Sequence, residues 1–379
     1  MTDTASEQDR AFVRRAVELA GRGWGRVAPN PLVGCVIVRD DGEVVGEGWH
    51  TEYGRPHAEV EALRAAGDAA RGATAYVSLE PCSHHGKTPP CTGALIAAGV
   101  RRVVFGGFDP NPRASGGADV LRAAGIEALG GVEEAAVRDQ NAVFFHAHSP
   151  AGAGRPFVAL KLALSLDARI ADRDGRSVWI TGEAARAETH RLRAGYDAVA
   201  VGIGTARADD PQLTVRGAVE PRVPPVRIVF DRALRLPPDG ALARTAREVP
   251  VFAVCEPDAP ADRRRVLEDA GVRVLAASGL DTQLRAIREA GVRSMFVEGG
   301  AVLASALLGA DVVDRMYLFY APVLIGPDGV APFGGIASPA LADAVRWRRL
   351  DTQAFGADTL ITLAGAGFRR VGLGGGHED

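Results

Sequence analysis

Short apolar runs typical of β-strands alternate with segments of helical periodicity along nearly the whole chain. In the first part, the runs at 33–39 and 44–49 flank a DDG turn, and the runs at 74–79 and 102–106 are each followed by a helical segment. Such alternation predicts α/β sheets that are covered by helices on both faces. It excludes all-helical and all-β folds.

A small, polar segment at 146–156, HAHSPAGAGRP, interrupts this alternation and is typical of a linker between domains. The 379 residues also exceed one usual domain of roughly 100–200 residues. We therefore expect two domains, at 1–148 and 155–370. The second again alternates strands and helices, and its longest expected strand covers 316–326.

The composition and net charge of the chain limit the classes of protein to which it can belong. Hydrophobic residues make up 47% and charged residues 24% of the chain, as in globular proteins, and a formal net charge of −3 does not favour binding to nucleic acids or membrane surfaces. The polar N-terminus and the absence of about 18 consecutive apolar residues argue against a signal peptide or a membrane span. Four cysteines do not make a disulfide framework. We expect a cytoplasmic protein with small-molecule partners.

One histidine and two cysteines could form a zinc site. His57 and Glu59 begin a predicted helix as H-A-E, and Cys82 and Cys91 follow a predicted strand. Zinc with three protein ligands keeps a fourth position for water, which is typical of a catalytic site. Bound zinc lowers the pKa of that water from about 15.7 to about 7. Glu59, two residues beyond the histidine, is placed to move its proton.

The spacing departs from the general signature of zinc deaminases, which is H-x-E followed by P-C-x-x-C. H-A-E and P-C match, but eight residues separate the two cysteines here. A chance H-A-E with two unrelated cysteines is one alternative. A closed structural zinc site is another, and it would need His84 or His85 as the fourth ligand.

The second domain lacks the G-x-G-x-x-G pattern of dinucleotide-binding folds. Gly299 and Gly300 stand between an apolar strand and a helix, where backbone N–H groups could meet a pyrophosphate, although two such glycines can also form an ordinary turn. Lys161 lies inside an apolar strand, so it needs a partner or a role. Asp167 is a candidate partner.

Several longer motifs occur in a fixed order: APNPLVGCVIV, HAEVEAL and LEPCSHHGKTPPC, then KLALSLDARIA, SVWITG, HRLRA, GIGTARADDPQLTVR and FVEGGAVLASALL. Through them nearly the whole chain resembles the bifunctional riboflavin-biosynthesis deaminase/reductases, whose own pattern includes the eight-residue cysteine spacing. The resemblance implies a cytidine-deaminase-like three-layer N-terminal domain and a dihydrofolate-reductase-like C-terminal domain. It also implies one Zn²⁺ per deaminase site, NADPH, and a homo-oligomer that is a dimer or tetramer.

The family's two reactions are then the expected ones. The first is zinc-dependent hydrolytic deamination of 2,5-diamino-6-ribosylamino-4(3H)-pyrimidinone 5′-phosphate at its 2-amino group. The second is NADPH-dependent reduction of the ribosyl group, which gives 5-amino-6-ribitylamino-uracil 5′-phosphate. The partners implied are these pyrimidine ribosyl phosphates.

The resemblance also implies functional roles for the residues of this sequence that match the family's motifs. The zinc ligands are His57, Cys82 and Cys91, and the proton donor and acceptor is Glu59. The deaminase substrate contacts are Asn30, His50, His84 and Lys87. The reductase substrate contacts are Lys161, Ser177, Arg193, Leu213, Arg216 and Glu298. The NADPH contacts are Ala163, Trp179, Thr205, Asp209, Arg232, Gly300, Ala301, Val302, Leu303, Ala304, Ser305 and Ala306.

One position departs from the family pattern S-L-D-G-R, because Ala168 replaces its glycine. If that turn needs a positive φ, alanine strains it. Two other interpretations remain open on the sequence alone. The first domain could belong to a nucleic-acid base deaminase with an accessory domain, which predicts a basic face. The second could be a non-catalytic NADP-binding or regulatory module.

Overall fold

The structure is a computed structural model that describes residues 5–86, 89–177, 179–336 and 340–365. The chain forms two compact units, Met1–His148 and Ser149–Asp379. The expected linker contains a short helix at Pro150–Gly154, which begins where the Ser149 hydroxyl accepts a hydrogen bond from the Gly152 N–H. No helix in the described ranges is long and apolar enough to cross a membrane.

The first unit is a five-stranded sheet between helices. Its strands are β1 (Gly34–Val38), β2 (Val44–Trp49), β3 (Thr74–Leu79), β4 (Arg102–Gly107) and β5 (Glu127–Leu129). Its α-helices are α1 (Glu7–Ala20), α2 (Ala58–Ala66), α3 (Cys91–Ala98), α4 (Gly117–Ala123), α5 (Glu134–Gln140) and α6 (Ala142–Ala147). The order is β2-β1-β3-β4-β5; β1 is antiparallel to both neighbours, and β3, β4 and β5 are parallel.

Alternation along the buried strands supplies both faces of this sheet. Cys35 and Ile37 of β1 pack into one core cluster with residues of α2, α3 and α4. Val36 and Val38 pack into another with residues of α1. Since successive strand side chains point to opposite faces, the continuous apolar run GCVIV requires helices on both sides.

Helix α2, which follows His57, lies unusually close to β2. A Cβ atom added at Gly48 would lie 2.4 Å from the backbone nitrogen of Ala62, and one added at Gly46 would lie 2.3 Å from the Ala62 carbonyl oxygen. Because these distances are too short for any side chain, the two glycines allow the close packing that positions this helix and the site residues at its start.

The second unit is a nine-stranded sheet. Its strands are β6 (Phe157–Leu164), β7 (Ala198–Gly202), β8 (Val226–Phe230), β9 (Val251–Cys255), β10 (Arg273–Ala276), β11 (Ser294–Glu298), β12 (Arg315–Tyr320), β13 (Arg348–Phe355) and β14 (Asp358–Ala364). Its α-helices are α7 (Pro150–Gly154), α8 (Glu183–Arg193), α9 (Ile203–Asp209), α10 (Ala241–Arg244), α11 (Ala261–Asp269), α12 (Leu280–Glu289) and α13 (Ala301–Gly309). Short 3-10 helices cover Gly21–Gly23 and Gly67–Ala70 in the first unit and Leu341–Asp343 in the second.

The strand order of this sheet, β10-β9-β8-β7-β11-β6-β12-β14-β13, contains a reversal. The chain leaves β6, passes outward from β7 to β10, and returns to place β11 between β7 and β6. These strands and β12 pair in parallel, whereas β14 is antiparallel to both β12 and β13. Ligands of such sheets bind beyond the carboxyl ends of the strands at the point of reversal.

The long strand expected over 316–326 is wrong in its second half, since β12 ends at Tyr320. Pro322 lacks an N–H group for continued pairing. Beyond it, the Asp167 carboxylate accepts hydrogen bonds from the N–H groups of Ile325 and Gly326 instead of a neighbouring strand.

Ala168 adopts the left-handed conformation with φ of 55°, which is the condition under which alanine strains this turn. The Ser165 hydroxyl and carbonyl hold the turn by accepting from the N–H groups of Arg169 and Ala168. An L-residue pays about 1–2 kcal/mol for this conformation. The turn therefore contains strain that glycine would relieve.

We expect Ala168→Gly to stabilise the protein by about 0.5–1 kcal/mol, because relief of strain outweighs the added entropy of the unfolded chain. Ala187→Gly, in the exposed middle of α8, is the matched control and should destabilise by about 1 kcal/mol. Thermal unfolding followed by calorimetry measures both. A lower melting temperature for Ala168→Gly would contradict the strain.

Candidate active sites

The three predicted zinc ligands meet at the ends of three elements. His57 directly precedes α2, Cys82 follows β3, and Cys91 is the first residue of α3. The Nδ1 atom of His57 lies 3.7 Å from the Cys82 Sγ and 3.3 Å from the Cys91 Sγ. All three ligand atoms lie within 4.8 Å of one another.

This geometry fits a zinc ion. Tetrahedral zinc, with Zn–S near 2.3 Å and Zn–N near 2.1 Å, separates a nitrogen and a sulfur ligand by about 3.6 Å. The Cys91 thiol and His57 hydrogen-bond to Cys82 and lower the pKa of Cys82, which favours the thiolate that a metal requires. Among the described residues, the cluster contains these three ligands and not His84, which favours an open catalytic site.

Glu59 lies in the first turn of α2, beside this cluster. Its side chain is 3% exposed, and its Oε2 atom has no hydrogen-bond partner in the described parts of the chain. Burial raises the pKa of this carboxyl group. A buried carboxyl oxygen without a partner is costly unless a ligand or a reaction uses it.

A cavity of about 240 Å³ opens beside the cluster and is also lined by Asn30, His50 and His84. The Nδ1 atom of His50 donates to the Pro56 carbonyl, so its Nε2 accepts from the Asn30 amide at 3.2 Å. Burial lowers the pKa of His50 to about 4, which keeps the ring neutral. His84 has a buried Nδ1 without a described partner. Lys87 lies outside the described residues.

Glu80, Asp109 and Asn111 are among the polar residues of this cavity that were not predicted from the sequence. Glu80 accepts hydrogen bonds from the backbone N–H groups of Asp109 and Ala118. Burial raises the pKa of Asp109 to about 6. The sequence contained a signal for two of them, because the E-P and D-P pairs that begin with Glu80 and Asp109 follow the neighbouring parallel strands β3 and β4.

The second unit has a much larger cavity, about 1240 Å³, at the carboxyl ends of β6, β7, β8, β9 and β11. The predicted residues that line it are Lys161, Ala163, Ser177, Trp179, Arg193, Thr205, Asp209, Arg216, Arg232, Glu298, Gly300, Ala301, Val302, Leu303 and Ala306. Such a volume is enough for a dinucleotide together with a small substrate.

Three predicted contacts have side chains outside this lining. Leu213 is 4% exposed and packs in the core, with φ of 53°, and Ala304 is fully buried in the other core cluster. The Ser305 hydroxyl accepts from the Gly335 N–H. Any ligand contact from Leu213 or Ala304 would therefore use the backbone.

Glu298 joins two cations at the centre of the large cavity. Its Oε2 lies 4.0 Å from the Lys161 Nζ, and its Oε1 accepts from the Arg193 Nε. Burial alone would raise the pKa of Glu298, but Arg193 and Lys161 hold it below its usual value. Burial lowers the pKa of Lys161 in spite of Glu298. With its pKa lowered in this way, the Lys161 ammonium group can act as a proton donor.

The expected pair between Lys161 and Asp167 is wrong. The Asp167 carboxylate instead accepts from the Ser165 hydroxyl and from backbone N–H groups at 325–326. The reason is tertiary: Glu298 stands directly opposite Lys161 in the parallel β11–β6 ladder, where facing side chains share one side of the sheet.

His190 of α8 is a further residue of this cavity that the sequence analysis missed. Its Nδ1 accepts a hydrogen bond from the Arg216 N–H at 3.2 Å. Burial, together with the charges of Arg193 and Arg216, lowers the pKa of His190. The neutral ring therefore connects the helix to the loop that carries Arg216.

Comparisons with known proteins agree with both sites. Residues 6–107 match the family model of the cytidine and deoxycytidylate deaminase zinc-binding region, and residues 156–361 match that of the RibD C-terminal domain. The riboflavin biosynthesis protein RibD of Escherichia coli (strain K12) is 42% identical over 376 residues, which cover 95% of this chain and 100% of that protein.

The chain belongs to the RibD family.

Solved structures extend the likeness to the fold. Acinetobacter baumannii RibD, form 1, has a TM-score of 0.80 and 40% identity, with 95% of this chain and 99% of that chain covered. A Thermotoga maritima diaminohydroxyphosphoribosylaminopyrimidine deaminase/5-amino-6-(5-phosphoribosylamino)uracil reductase has a TM-score of 0.79 and 35% identity, with the same coverage. The expected cytidine-deaminase-like and dihydrofolate-reductase-like domains are therefore confirmed.

The protein is a bifunctional deaminase and reductase of riboflavin biosynthesis. Its deaminase domain is of the zinc-binding type, and its reductase domain is of the NADPH-dependent type. The predicted activity class and cofactors are thereby confirmed. The nucleic-acid base deaminase and the non-catalytic second domain are set aside by family membership over 95% of the chain.

We expect Cys91→Ser to lose most of its bound zinc, because a serine hydroxyl is a far poorer zinc ligand than a thiolate. Cys255→Ser, at a buried cysteine of the other unit, is the matched control and should keep its zinc. Elemental analysis of the purified, folded proteins measures zinc per chain. An unchanged zinc content in Cys91→Ser would rule out this ligand set.

Proposed function

We propose that the first unit deaminates 2,5-diamino-6-ribosylamino-4(3H)-pyrimidinone 5′-phosphate and that the second reduces the ribosyl group of the product to ribityl. The main support is the His57, Cys82 and Cys91 cluster, beside which the Glu59 Oε2 atom has no hydrogen-bond partner among the described residues. The name of the Thermotoga maritima neighbour supports these substrates, because that protein is a diaminohydroxyphosphoribosylaminopyrimidine deaminase/5-amino-6-(5-phosphoribosylamino)uracil reductase.

In the deaminase site, zinc held by His57, Cys82 and Cys91 supplies an activated water at neutral pH. Glu59 takes a proton from the attacking water and delivers it to the leaving amino group, for which its raised pKa suits it. Asn30 and His50 form a neutral pair that can hydrogen-bond a pyrimidine edge without burying a charge. His84 and Lys87 are the proposed contacts to the rest of the substrate.

In the reductase site, NADPH supplies the hydride that reduces the ring-opened sugar. Lys161 is placed to donate the accompanying proton, because burial lowers its pKa and Glu298 holds its ammonium group in the cavity. Arg193 orients Glu298 and also donates to the Thr214 carbonyl at 2.8 Å. Arg216 is the proposed contact to the substrate phosphate.

The cofactor would lie along the point of strand reversal. The backbone N–H groups at the start of α13, from Gly300 onward, can meet its pyrophosphate. Thr205, at the start of α9, and Ala163, at the end of β6, line the same cavity. The exposed Trp179 ring, with the Arg186 guanidinium 4.3 Å from its centroid, offers a surface at the mouth.

A homo-oligomer, dimer or tetramer, is proposed for the assembly. Strand β13 supports this proposal, since it pairs with β14 on one side and ends the sheet order on the other. An edge strand of this kind can pair with another chain.

A cytoplasmic location is proposed as well. All four cysteines are free thiols, and Cys82 and Cys91 must be reduced in order to bind a metal together with His57. Both observations suit a reducing compartment.

We expect Glu59→Gln to lower ammonia release roughly 100–10,000-fold, because the glutamine amide cannot take up or return a proton. Zinc content, and NADPH oxidation with deaminated substrate supplied, should not change. Glu61→Gln is the control, since Glu61 lies on the same helix and forms a surface ion pair with Arg64. Rapid deamination by Glu59→Gln would show that another group moves the proton.

We expect the reductase KM for its phosphorylated substrate to rise as the pH falls below 6.5, the ordinary pKa of histidine. The pKa of His190 is lowered in the folded protein, so the neutral ring holds the Arg216 N–H at neutral pH and loses that bond only when Nδ1 is protonated in acid. His190→Ala should raise KM roughly 3–10-fold at all pH values, the effect of one hydrogen bond. His190→Gln, which keeps an acceptor, should restore KM and flatten the acid limb.

The measurement is the dependence of kcat and KM on pH for the three proteins, with Arg193, Arg216 and Glu298 as the charged groups around the ring. If His190 had a purely structural role, its substitution would lower kcat and thermal stability together and would not change how KM rises at acidic pH. That result would remove His190 from substrate positioning.

A further inference from the structure

The loop that carries Asn30 has few backbone groups with which to hold its shape. Its sequence is Ala28-Pro29-Asn30-Pro31-Leu32, and neither proline has an N–H group. The Asn30 N–H donates to the Val27 carbonyl at 2.9 Å. Beyond this bond, the first backbone N–H group that can fix the loop is that of Leu32.

The side chain of Asn141 holds the backbone of Leu32 through two hydrogen bonds. Its Oδ1 accepts from the Leu32 N–H at 2.7 Å, and its Nδ2 donates to the Leu32 carbonyl at 3.0 Å. Both residues are buried. Because a buried N–H and a buried carbonyl depend on one amide, a single orientation of that amide satisfies both of them.

The backbone of Asn141 is in turn fixed by two helices. This residue lies between α5 and α6, where its N–H donates to the Val137 carbonyl at 2.9 Å and its own carbonyl accepts from the Phe145 N–H at 3.0 Å. Helix α6 also carries Phe144, which lines the deaminase cavity together with Asn30. Asn141 therefore connects the helix that forms one part of the cavity wall to the loop that forms another.

Asn30 is the residue through which this loop reaches the cavity. Its amide donates one N–H to the His50 Nε2 at 3.2 Å, and its second N–H and its oxygen can bind a pyrimidine edge. Leu32 is two residues away, and Pro31 between them has its φ fixed near about −65°. Since the connection is this short and stiff, a displacement of Leu32 also displaces the Asn30 amide.

We propose that Asn141 is a positioning residue of the deaminase, which clamps Leu32 and thereby sets the orientation of the Asn30 amide toward the pyrimidine ring. This inference rests on the proposed function, which assigns the pyrimidine edge to Asn30 and His50. Asn141 does not line the cavity itself, so it acts on the substrate through Asn30. A misplacement of about 1 Å in a substrate contact can cost on the order of 100-fold in rate, which makes such a clamp important.

The test measures ammonia release by full-length variants with the diamino-pyrimidinone phosphate as substrate. Asn30→Ala and Asn141→Ala should each raise KM roughly 3–30-fold and change kcat much less, because the Asn30 amide binds the substrate and the transition state alike. The double variant should have a KM within about twofold of the weaker-binding single variant, since both changes remove one and the same contact. Reductase kinetics and zinc content should stay as in the wild type.

Gln140→Ala is the matched control, because the neighbouring Gln140 amide donates to the Val17 carbonyl of α1 at 2.7 Å and not to the loop. It should lower the melting temperature and leave the deaminase KM unchanged. If Asn141→Ala does not retain zinc, Asn141→Asp replaces it: this variant has the same size, but its ionised carboxylate cannot donate to the Leu32 carbonyl, so KM should again rise.

Two results would overturn the inference. If the Asn141 variants lower thermal stability but keep the wild-type KM, as Gln140→Ala is expected to do, Asn141 only supports the fold. If the KM effects of Asn30→Ala and Asn141→Ala multiply in the double variant, Asn141 acts by a route other than Asn30. An unchanged KM in Asn30→Ala would instead contradict the substrate contact in the proposed function, which distinguishes that failure from a failure of the clamp.

Discussion

Parallel pairing of neighbouring strands is the constraint on which both sites depend, because it brings the carboxyl ends of those strands to one edge of a sheet. In the first unit, β3 and β4 are parallel, so Glu80 and Asp109 reach one cavity. In the second, parallel pairing of β11 with β6 sets Glu298 opposite Lys161. Helices that start at the same edge add His57 and Gly300. Residues distant in the chain thereby become one reaction centre.

The buried charged groups of the two candidate sites differ in their hydrogen-bond and ion-pair partners. Glu59 is left without a partner for its Oε2, which fits a group that must exchange a proton. Lys161 and Arg193 share the Glu298 carboxylate as their partner, since isolated charges would cost several kcal/mol each to bury. Arg227 shows a purely structural solution: it is 1% exposed and donates to the Thr245 hydroxyl and carbonyl.

Backbone strain gathers around the reductase cavity. Ala168, Trp179, Leu213 and Leu234 all have positive φ although none is glycine. Ala168 and Trp179 lie in the loop that follows β6, Leu213 in the loop between α9 and β8, and Leu234 in the turn that follows β8. Strained residues persist where the surrounding contacts over-determine them, as the bonds to Ser165 and Asp231 do here. The loops are thus held in shapes that present Trp179 and Arg235.

The sequence by itself determined the two α/β domains, the order of most strands along the chain and the three candidate zinc ligands, because apolar periodicity and the H-A-E and P-C motifs are local signals. It also exposed the strained turn at Ala168 through one departure from a motif. The partner of Lys161, the end of β12 at Tyr320, and the positions of Asp109, His190 and Arg235 in the cavity linings were decided only by tertiary structure. The physical reason is the same in each case: strand neighbours, burial and hydrogen-bond partners arise between residues far apart in the chain, which no local pattern specifies.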